Sequence, residues 1–146
     1  MDYKSEIEKL VECTSALTKT PLMLGKDFEV VYQPKDHIPY ALPKDKMAVY
    51  SFVYNNEFLK IGRAFKRSKA RFQSHHYYIK SAKSTLANSL LKDPQMSNLF
   101  TAQNITQWIK SNCERFDILI DAKFGKLTLN FIEGLMHHQY NPRYEG

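Results

Sequence analysis

The C-terminal part of this 146-residue chain carries a set of polar residues whose chemistries complement one another. The set contains a phenol, several cations, one carboxylate and one amide: Tyr50, Lys60, Arg71, His75, Glu133 and Asn141. A phenol can take a proton from water, cations can hold a phosphate, and a carboxylate can hold a hard divalent metal ion. Together these groups predict the metal-assisted hydrolysis of a phosphodiester, with DNA as the substrate.

Tyr50 and Lys60 lie in two segments that are predicted to pair as a β-hairpin around Asn55-Asn56. Taken alone, Tyr50 is a packing aromatic and Lys60 a solvated lysine of a strand. A two-residue turn would place the two side chains on opposite faces of the hairpin, whereas a three-residue loop or a β-bulge would place them on one face. A shared catalytic role therefore predicts the longer loop or the bulge.

Arg71 and His75 stand four residues apart in a stretch, about 69–92, that is predicted to form one long helix ending before Asp93-Pro94. They would then share a helix face. The planar Arg71 guanidinium suits two phosphate oxygens, and His75 would donate to the same phosphate or to the leaving oxygen. His76 is expected to point elsewhere and is treated as incidental. The alternative for the whole stretch is an exposed basic helix.

Glu133 borders the apolar side of a predicted last helix, residues 126–138. A carboxylate beside apolar surface is costly unless it has a partner. That partner is either a salt-bridging cation, Arg71 or Lys60, or a divalent metal ion completed by water molecules. Both alternatives place Glu133 close to the other members of the set.

Further cations precede the predicted long helix and are expected to contact nucleic acid: Arg63, Lys66, Arg67 and Lys69. For Lys66 and Lys69 an ordinary solvated surface is an equally good explanation. Asn141 precedes Pro142, which is typical of a turn, and the family resemblance given below implies a role for its amide in nucleic-acid binding near the site.

Composition indicates one ordinary globular domain, since 43% of the residues are hydrophobic and 25% are charged. The formal net charge of +6 favours a polyanionic partner. Cys13 and Cys113 have no CxxC partners, so a zinc framework or a disulfide scaffold is not expected. No apolar run approaches the length of a membrane span. We therefore expect a cytoplasmic protein without a membrane partner.

The order of predicted elements indicates an α+β fold. A helix over 3–17 and a proline-rich stretch with a short strand near 28–32 form an expected N-terminal helical arm, residues 1–46, packed on a core over 47–146. The core would contain the hairpin, helices, a strand over 116–121 and the last helix. These elements predict a small, three-stranded, mainly antiparallel sheet flanked by helices.

The order and spacing of these residues resemble the GIY-YIG nuclease superfamily over roughly residues 47–146. The Gly-Ile-Tyr signature looks like Ala48-Val49-Tyr50, and the Tyr-Ile-Gly signature looks like Lys60-Ile61-Gly62. The arginine of the family helix, the histidine four residues later, the metal-binding glutamate and the late asparagine fall on Arg71, His75, Glu133 and Asn141. Two residues depart from the signatures, Ala48 and, more substantially, Lys60, a lysine that some restriction enzymes of the superfamily also carry.

The resemblance implies a metal-dependent DNA endonuclease with Tyr50 as general base and Glu133 as ligand of Mg²⁺ or Mn²⁺. Arg71, His75 and Lys60 would hold the phosphate, and cleavage would leave 5′-phosphate and 3′-hydroxyl ends. Because the chain is compact, a restriction-type enzyme is expected, acting as a dimer or transient pair on a symmetric site. The alternatives are a repair, phage or mobile-element nuclease, or a catalytically weak homologue that binds nucleic acid.

Overall fold

The computed structural model describes residues 2–79 and 84–144 of the chain. Within these ranges the elements are α1 (Tyr3–Leu17), β1 (Phe28–Gln33), β2 (Lys46–Tyr54), β3 (Glu57–Ala64), α2 (Lys69–Gln73), α3 (Leu86–Lys92), α4 (Ile105–Asn112), β4 (Glu114–Asp121) and α5 (Gly125–Tyr140). Short 3-10 turns occur at His75–Tyr77, Ser97–Leu99 and Ala122–Phe124. The predicted α+β class is confirmed. The predicted first helix, last strand and last helix correspond to α1, β4 and α5.

The described strands form one antiparallel sheet in the order β1-β4-β2-β3. The prediction of three strands was wrong by one, because the short strand in the expected arm pairs with β4. Phe28 and Val30 point into the core from this strand and lie opposite Ile120 and Ile118. The N-terminal segment therefore supplies one edge of the sheet, while β3 forms the other edge.

The hairpin of β2 and β3 contains both a tight turn and a β-bulge. Asn55 and Asn56 have φ values of 48° and 62°, the left-handed conformation that a two-residue hairpin turn of this type requires. The register shifts between Phe52 and Val53, so that Phe52 lies opposite Lys60 and Leu59 is the extra residue. The predicted bulge is confirmed, and it places Lys60 on the same face of the hairpin as Tyr50.

Both faces of the sheet are covered by helices, so the central strands β2 and β4 are almost entirely buried. On one face, α1 and α5 pack against the strands with a set of buried apolar residues: Tyr3, Ile7, Val11, Leu129, Ile132 and Met136. On the other face the covering comes from α2, the His75–Tyr77 turn, α3 and α4, with Phe72, Tyr77, Leu86, Leu90, Ile105 and Ile109. Tyr50 points to this second face.

The predicted single helix over 69–92 is wrong. The chain forms the short helix α2, a 3-10 turn at His75–Tyr77 and, after residues 80–83, which lie outside the described residues, helix α3. In a continuing helix the carbonyl of Phe72 would accept from the N–H of His76, but it accepts from the Arg115 Nη2 at 2.6 Å. A tertiary contact therefore occupies a carbonyl that the predicted longer helix would use.

None of the helices in the described ranges is both long enough and apolar enough to cross a bilayer.

Candidate functional site

A cavity of about 310 Å³ opens beside the edge strand β3. No described strand pairs with the outer side of β3, although the segment after α5 donates to the start of this strand, from the Arg143 N–H to the Phe58 carbonyl and from the Tyr144 N–H to the Leu59 carbonyl, both at 2.9 Å. From Lys60 onwards, residues from both faces of β3 and from the adjacent helices line the same space. The lining residues are Tyr50, Lys60, Ile61, Gly62, Arg63, Arg71, His76, Ser84, Glu133 and His137. The structure thus brings together the predicted phenol, two predicted phosphate-binding cations and the predicted carboxylate.

The Tyr50 side chain reaches this cavity by passing over Gly62, which lies directly opposite in the hairpin. A Cβ atom placed on Gly62 would lie 2.5 Å from the Tyr50 hydroxyl oxygen and 2.6 Å from Cζ of the ring. No side chain larger than hydrogen fits there while Tyr50 keeps its position. The packing of Tyr50 therefore requires a glycine at position 62.

The Tyr50 hydroxyl contacts His76, not His75. His76 Nε2 lies 2.6 Å from the Tyr50 oxygen, and the backbone N–H of Leu86 donates to His76 Nδ1 at 3.1 Å. Since Nδ1 accepts that bond, a neutral imidazole carries its proton on Nε2 and donates it to Tyr50. The tyrosine's own hydroxyl hydrogen is then free to point into the cavity.

The expectation that His76 points elsewhere is wrong, because its ring contacts Tyr50 and lines the cavity. The reason is the early end of α2, which turns the chain so that His76 becomes buried against the sheet. His75 does not line the cavity, although Arg71 is close enough to affect it: burial, with a smaller contribution from Arg71, lowers the pKa of His75. Arg71 itself is exposed on α2 and lines the cavity as predicted.

Burial raises the pKa of Tyr50 above the ordinary value of a phenol, and the nearby positive charges of Arg71 and Arg115 oppose that shift. Burial also lowers the pKa of His76 to about 3, with Lys60 acting in the same direction. At neutral pH the pair is therefore a neutral phenol that accepts a hydrogen bond from a neutral imidazole.

Lys60 is the most unusual cation of the site. Its side chain is only 3% exposed, and its Nζ has no hydrogen-bond partner among the described residues. Burial, followed by the charge of Arg71, lowers the pKa of the Lys60 ammonium, whereas Glu133 raises it. A buried and unpartnered nitrogen at a cavity wall favours a ligand that brings negative charge.

Glu133 projects from α5 into the same cavity and has a protein cation as its partner. Arg63 Nη1 lies 2.6 Å from Glu133 Oε1, and His137 Nε2 lies 3.9 Å from Oε2. This differs from the expected salt-bridge partners, Arg71 and Lys60. The carboxylate is 16% exposed and reaches the cavity from the layer that covers the opposite face of the sheet.

The donor set around Glu133 fits a magnesium or manganese ion better than zinc. Within residues 2–79 and 84–144 no group of three or more His, Cys, Asp or Glu side chains is arranged to hold a metal ion. Mg²⁺ commonly takes one or two carboxylates and completes its coordination with water and substrate phosphate oxygens. One carboxylate at the wall of a cation-lined cavity meets that requirement, and Mn²⁺ accepts the same hard ligands.

The remaining predicted nucleic-acid contacts lie in other places. Lys66, Arg67 and Lys69 line a second concavity of about 340 Å³ together with Lys44 and Asp45. Asn141 ends α5 in the left-handed conformation, with φ 44°, and its N–H donates to the His137 carbonyl at 2.9 Å. Asn141 is thus a helix cap that does not line the cavity.

A buried polar network behind Tyr50 was missed from the sequence. Arg115 Nε donates to Asp117 Oδ1 at 2.8 Å and Nη1 donates to the Tyr77 hydroxyl at 3.1 Å, while the Tyr40 hydroxyl donates to Asp117 Oδ2 at 2.8 Å. The Arg115 guanidinium also lies 5.4 Å from the centre of the Tyr50 ring. The signal that would have predicted this pair is two opposite charges two residues apart among apolar residues, Phe116, Ile118, Leu119 and Ile120.

The contact between Tyr50 and Gly62 predicts a sharp difference between two glycine substitutions. Gly62→Ala should lower the free energy of unfolding by about 1–3 kcal/mol, because the new methyl group overlaps a buried ring. Gly134→Ala is the matched control: its Cβ meets no atom within 4 Å on an exposed part of α5, so stability should rise by about 0.5–1 kcal/mol. Urea unfolding measures both. Equal effects would show that Tyr50 does not occupy this position.

The lowered pKa of His76 predicts a loss of stability in acid. In the unfolded chain His76 binds a proton below about pH 6.5, whereas in the folded protein it does so only near pH 3. Protonation therefore favours the unfolded state, and the free energy of unfolding decreases progressively as the pH falls from 6.5 towards 3. Between pH 7 and 4.5, wild type should lose about 2–3 kcal/mol more than His76→Gln, whose amide still donates to Tyr50. Urea unfolding at both pH values tests this, and equal losses would contradict it.

Comparison of the chain with protein-family models, curated proteins and solved structures finds no match. Membership of the GIY-YIG superfamily therefore stays a prediction. The residues that line the cavity remain the basis for inferring a function.

Proposed function

We propose that this chain is a metal-dependent DNA endonuclease whose active site is the cavity beside β3. One observation carries the proposal: Tyr50, Lys60, Arg71 and Glu133 line the same cavity, and the buried Lys60 Nζ has no partner there among the described residues. A phosphodiester would bring the negative charge that this nitrogen lacks. The cavity also contains a phenol for the attacking water and a carboxylate for a hard cation.

In the proposed reaction, Arg71 and Lys60 hold the nonbridging oxygens of the scissile phosphate and offset the charge of the transition state. Tyr50 first releases its own proton to solvent in the cavity and then, as the phenolate, accepts a proton from the attacking water, while the departing 3′-oxygen takes a proton from solvent. The resulting phenolate accepts the hydrogen bond from His76 Nε2 and is stabilised by the positive charges of Arg71 and Arg115. Cleavage leaves a 5′-phosphate and a 3′-hydroxyl.

Glu133 would hold Mg²⁺ or Mn²⁺ at the wall of the cavity. When bound, the cation supplies positive charge for the departing 3′-oxygen. Glu133 orients this charge from α5, so the two layers of the fold contribute different parts of the site: the hairpin brings the base, and the last helix brings the metal ligand.

The second concavity would hold a neighbouring stretch of the DNA backbone. We call Lys44, Lys66, Arg67 and Lys69 the basic surface; none of these residues forms an ion pair with another described residue. Three residues of the basic surface, Lys66, Arg67 and Lys69, lie in the chain between Arg63 and Arg71. Both of these arginines line the cavity. A nucleic-acid strand leaving the cavity would meet the basic surface next.

A restriction-type role in the cytoplasm, acting as a dimer or transient pair on DNA, is the specific form we propose. Repair, phage or mobile-element functions use the same chemistry and would differ in the ends they produce on mixed DNA. The raised pKa of Tyr50 favours a second candidate, a homologue that binds nucleic acid with weak catalysis, because a base must first lose its proton.

Cleavage of plasmid DNA in the presence of Mg²⁺ tests the nuclease directly. Tyr50→Phe and Glu133→Gln should each lower the rate by at least about 100-fold, since one removes the base and the other the metal ligand. Tyr54→Phe is the matched control, because Tyr54 lies on the same strand but packs on Trp108 instead of lining the cavity. End sequencing of the products separates discrete cutting sites from general degradation.

Each outcome has a clear meaning for the two candidates. Cleavage by wild type and Tyr54→Phe, with loss in the two site variants, supports the enzyme. Salt-sensitive DNA binding without cleavage under any divalent ion would support the binding homologue. Undiminished cleavage by Tyr50→Phe would contradict the proposed base.

The basic surface predicts a measurable change in the salt dependence of DNA binding. Each phosphate contact contributes roughly 0.9 to the slope of log Kobs against log salt, so Lys66→Gln/Lys69→Gln should reduce the slope by about 1.8. The control, Lys9→Gln/Lys19→Gln, removes the same charge from residues that line neither cavity. Fluorescence anisotropy with a labelled duplex in EDTA gives both slopes. Equal slopes would show that DNA does not contact this surface.

A further inference from the structure

Arg63 holds the carboxylate that the proposed reaction needs for its metal ion. Arg63 Nη1 donates to Glu133 Oε1 at 2.6 Å, and both side chains line the cavity. The arginine side chain is 48% exposed, whereas Glu133 is 16% exposed. The cation of this pair is thus the freer partner, on an edge strand that borders the space for the phosphate.

Both oxygens of Glu133 face protein groups. Oε1 accepts from Arg63, and Oε2 lies 3.9 Å from Nε2 of His137, which itself hydrogen-bonds to the Ile61 carbonyl at 3.1 Å. A divalent cation that approached Oε1 would be repelled by the positive charge of the Arg63 guanidinium at the same oxygen. The carboxylate can therefore bind a hard cation well only after the Arg63 guanidinium moves away.

We propose that Arg63 blocks Glu133 in the free protein and leaves it for a DNA phosphate, which makes the carboxylate available to the divalent cation. This inference rests on the proposed nuclease function and adds a mechanism by which substrate assembles the site. A guanidinium binds a phosphate with two parallel hydrogen bonds, so a bound strand offers Arg63 a partner at least as good as Glu133. An ion pair whose arginine is half exposed contributes little stability and exchanges readily.

The exchange makes metal and DNA binding reciprocal. If DNA removes Arg63 from Glu133 and thereby strengthens metal binding, the metal must strengthen DNA binding by the same factor. A cation held by Glu133 would also reduce the repulsion between this carboxylate and a bound phosphate. The free protein should therefore bind the cation weakly, and the removal of Arg63 should strengthen that binding.

Binding of Mn²⁺ to the protein without DNA, followed by the electron paramagnetic resonance signal of free Mn²⁺, tests this inference. R63Q should bind Mn²⁺ at least about fivefold more tightly than wild type, within the usual range of coupling between sites. K9Q is the matched control: it removes one exposed positive charge, and Lys9 lines neither the cavity nor the second concavity, so its affinity should equal that of wild type. E133Q and the double variant R63Q/E133Q should lose the binding.

A second measurement follows the exchange itself. The ratio of the Kd values for a DNA duplex without and with Ca²⁺ reports the coupling, and that ratio should be smaller in R63Q than in wild type and K9Q. Circular dichroism and Tm confirm that each variant is folded. A Mn²⁺ affinity of R63Q that does not exceed those of wild type and K9Q would overturn the proposal, as would an unchanged coupling ratio.

Failure of this inference is distinguishable from failure of the proposed function, because plasmid cleavage by wild type is measured in parallel. Cleavage combined with equal Mn²⁺ affinities leaves the nuclease standing and overturns the role of Arg63. Tighter Mn²⁺ binding by R63Q without cleavage by wild type supports the proposal that Arg63 blocks Glu133 and contradicts the proposed nuclease function.

Discussion

The buried guanidinium of Arg115 is the interaction on which the arrangement of the site depends. It is 1% exposed and bonds to Asp117, to the Tyr77 hydroxyl and to the Phe72 carbonyl, while its plane lies against aromatic rings that include Tyr50. A charge at this depth is tolerated only when its donors are satisfied and an opposite charge is near. These requirements join the central strand to the end of α2 and hold the chain where His76 turns inward.

The edge strand explains how groups from two layers reach one cavity. Gly62 has no side chain, so Tyr50 can extend across β3 from one face of the sheet, while Glu133 comes from the helix that covers the other face. An interior strand would have separated the two layers. Among the described residues, the cavity has three cations around one carboxylate, Lys60, Arg63 and Arg71, and this excess of positive charge favours an anionic ligand.

Much of this arrangement was predictable from local patterns. The alternation and turn residues around Asn55-Asn56 predicted the hairpin, and the requirement that Lys60 share a face with Tyr50 predicted the bulge. The first and last helices followed from their apolar periodicity. The convergence of Tyr50, Arg71 and Glu133 on one cavity was expected from the resemblance to the GIY-YIG superfamily and not from a local pattern. Residue type, periodicity and turn chemistry act over a few residues, so they can be read from the sequence.

The contacts between distant segments of the chain were determined only by the tertiary structure. The sequence pattern favoured one helix over 69–92 and therefore placed His75, not His76, beside Arg71. The carbonyl of Phe72 is taken by Arg115, 43 residues away, and helix α2 ends there. Likewise, Arg63 rather than Arg71 or Lys60 pairs with Glu133, 70 residues away. Such partners depend on burial and on competition for hydrogen bonds across the folded chain. The local sequence does not show which distant group will lie within hydrogen-bonding distance.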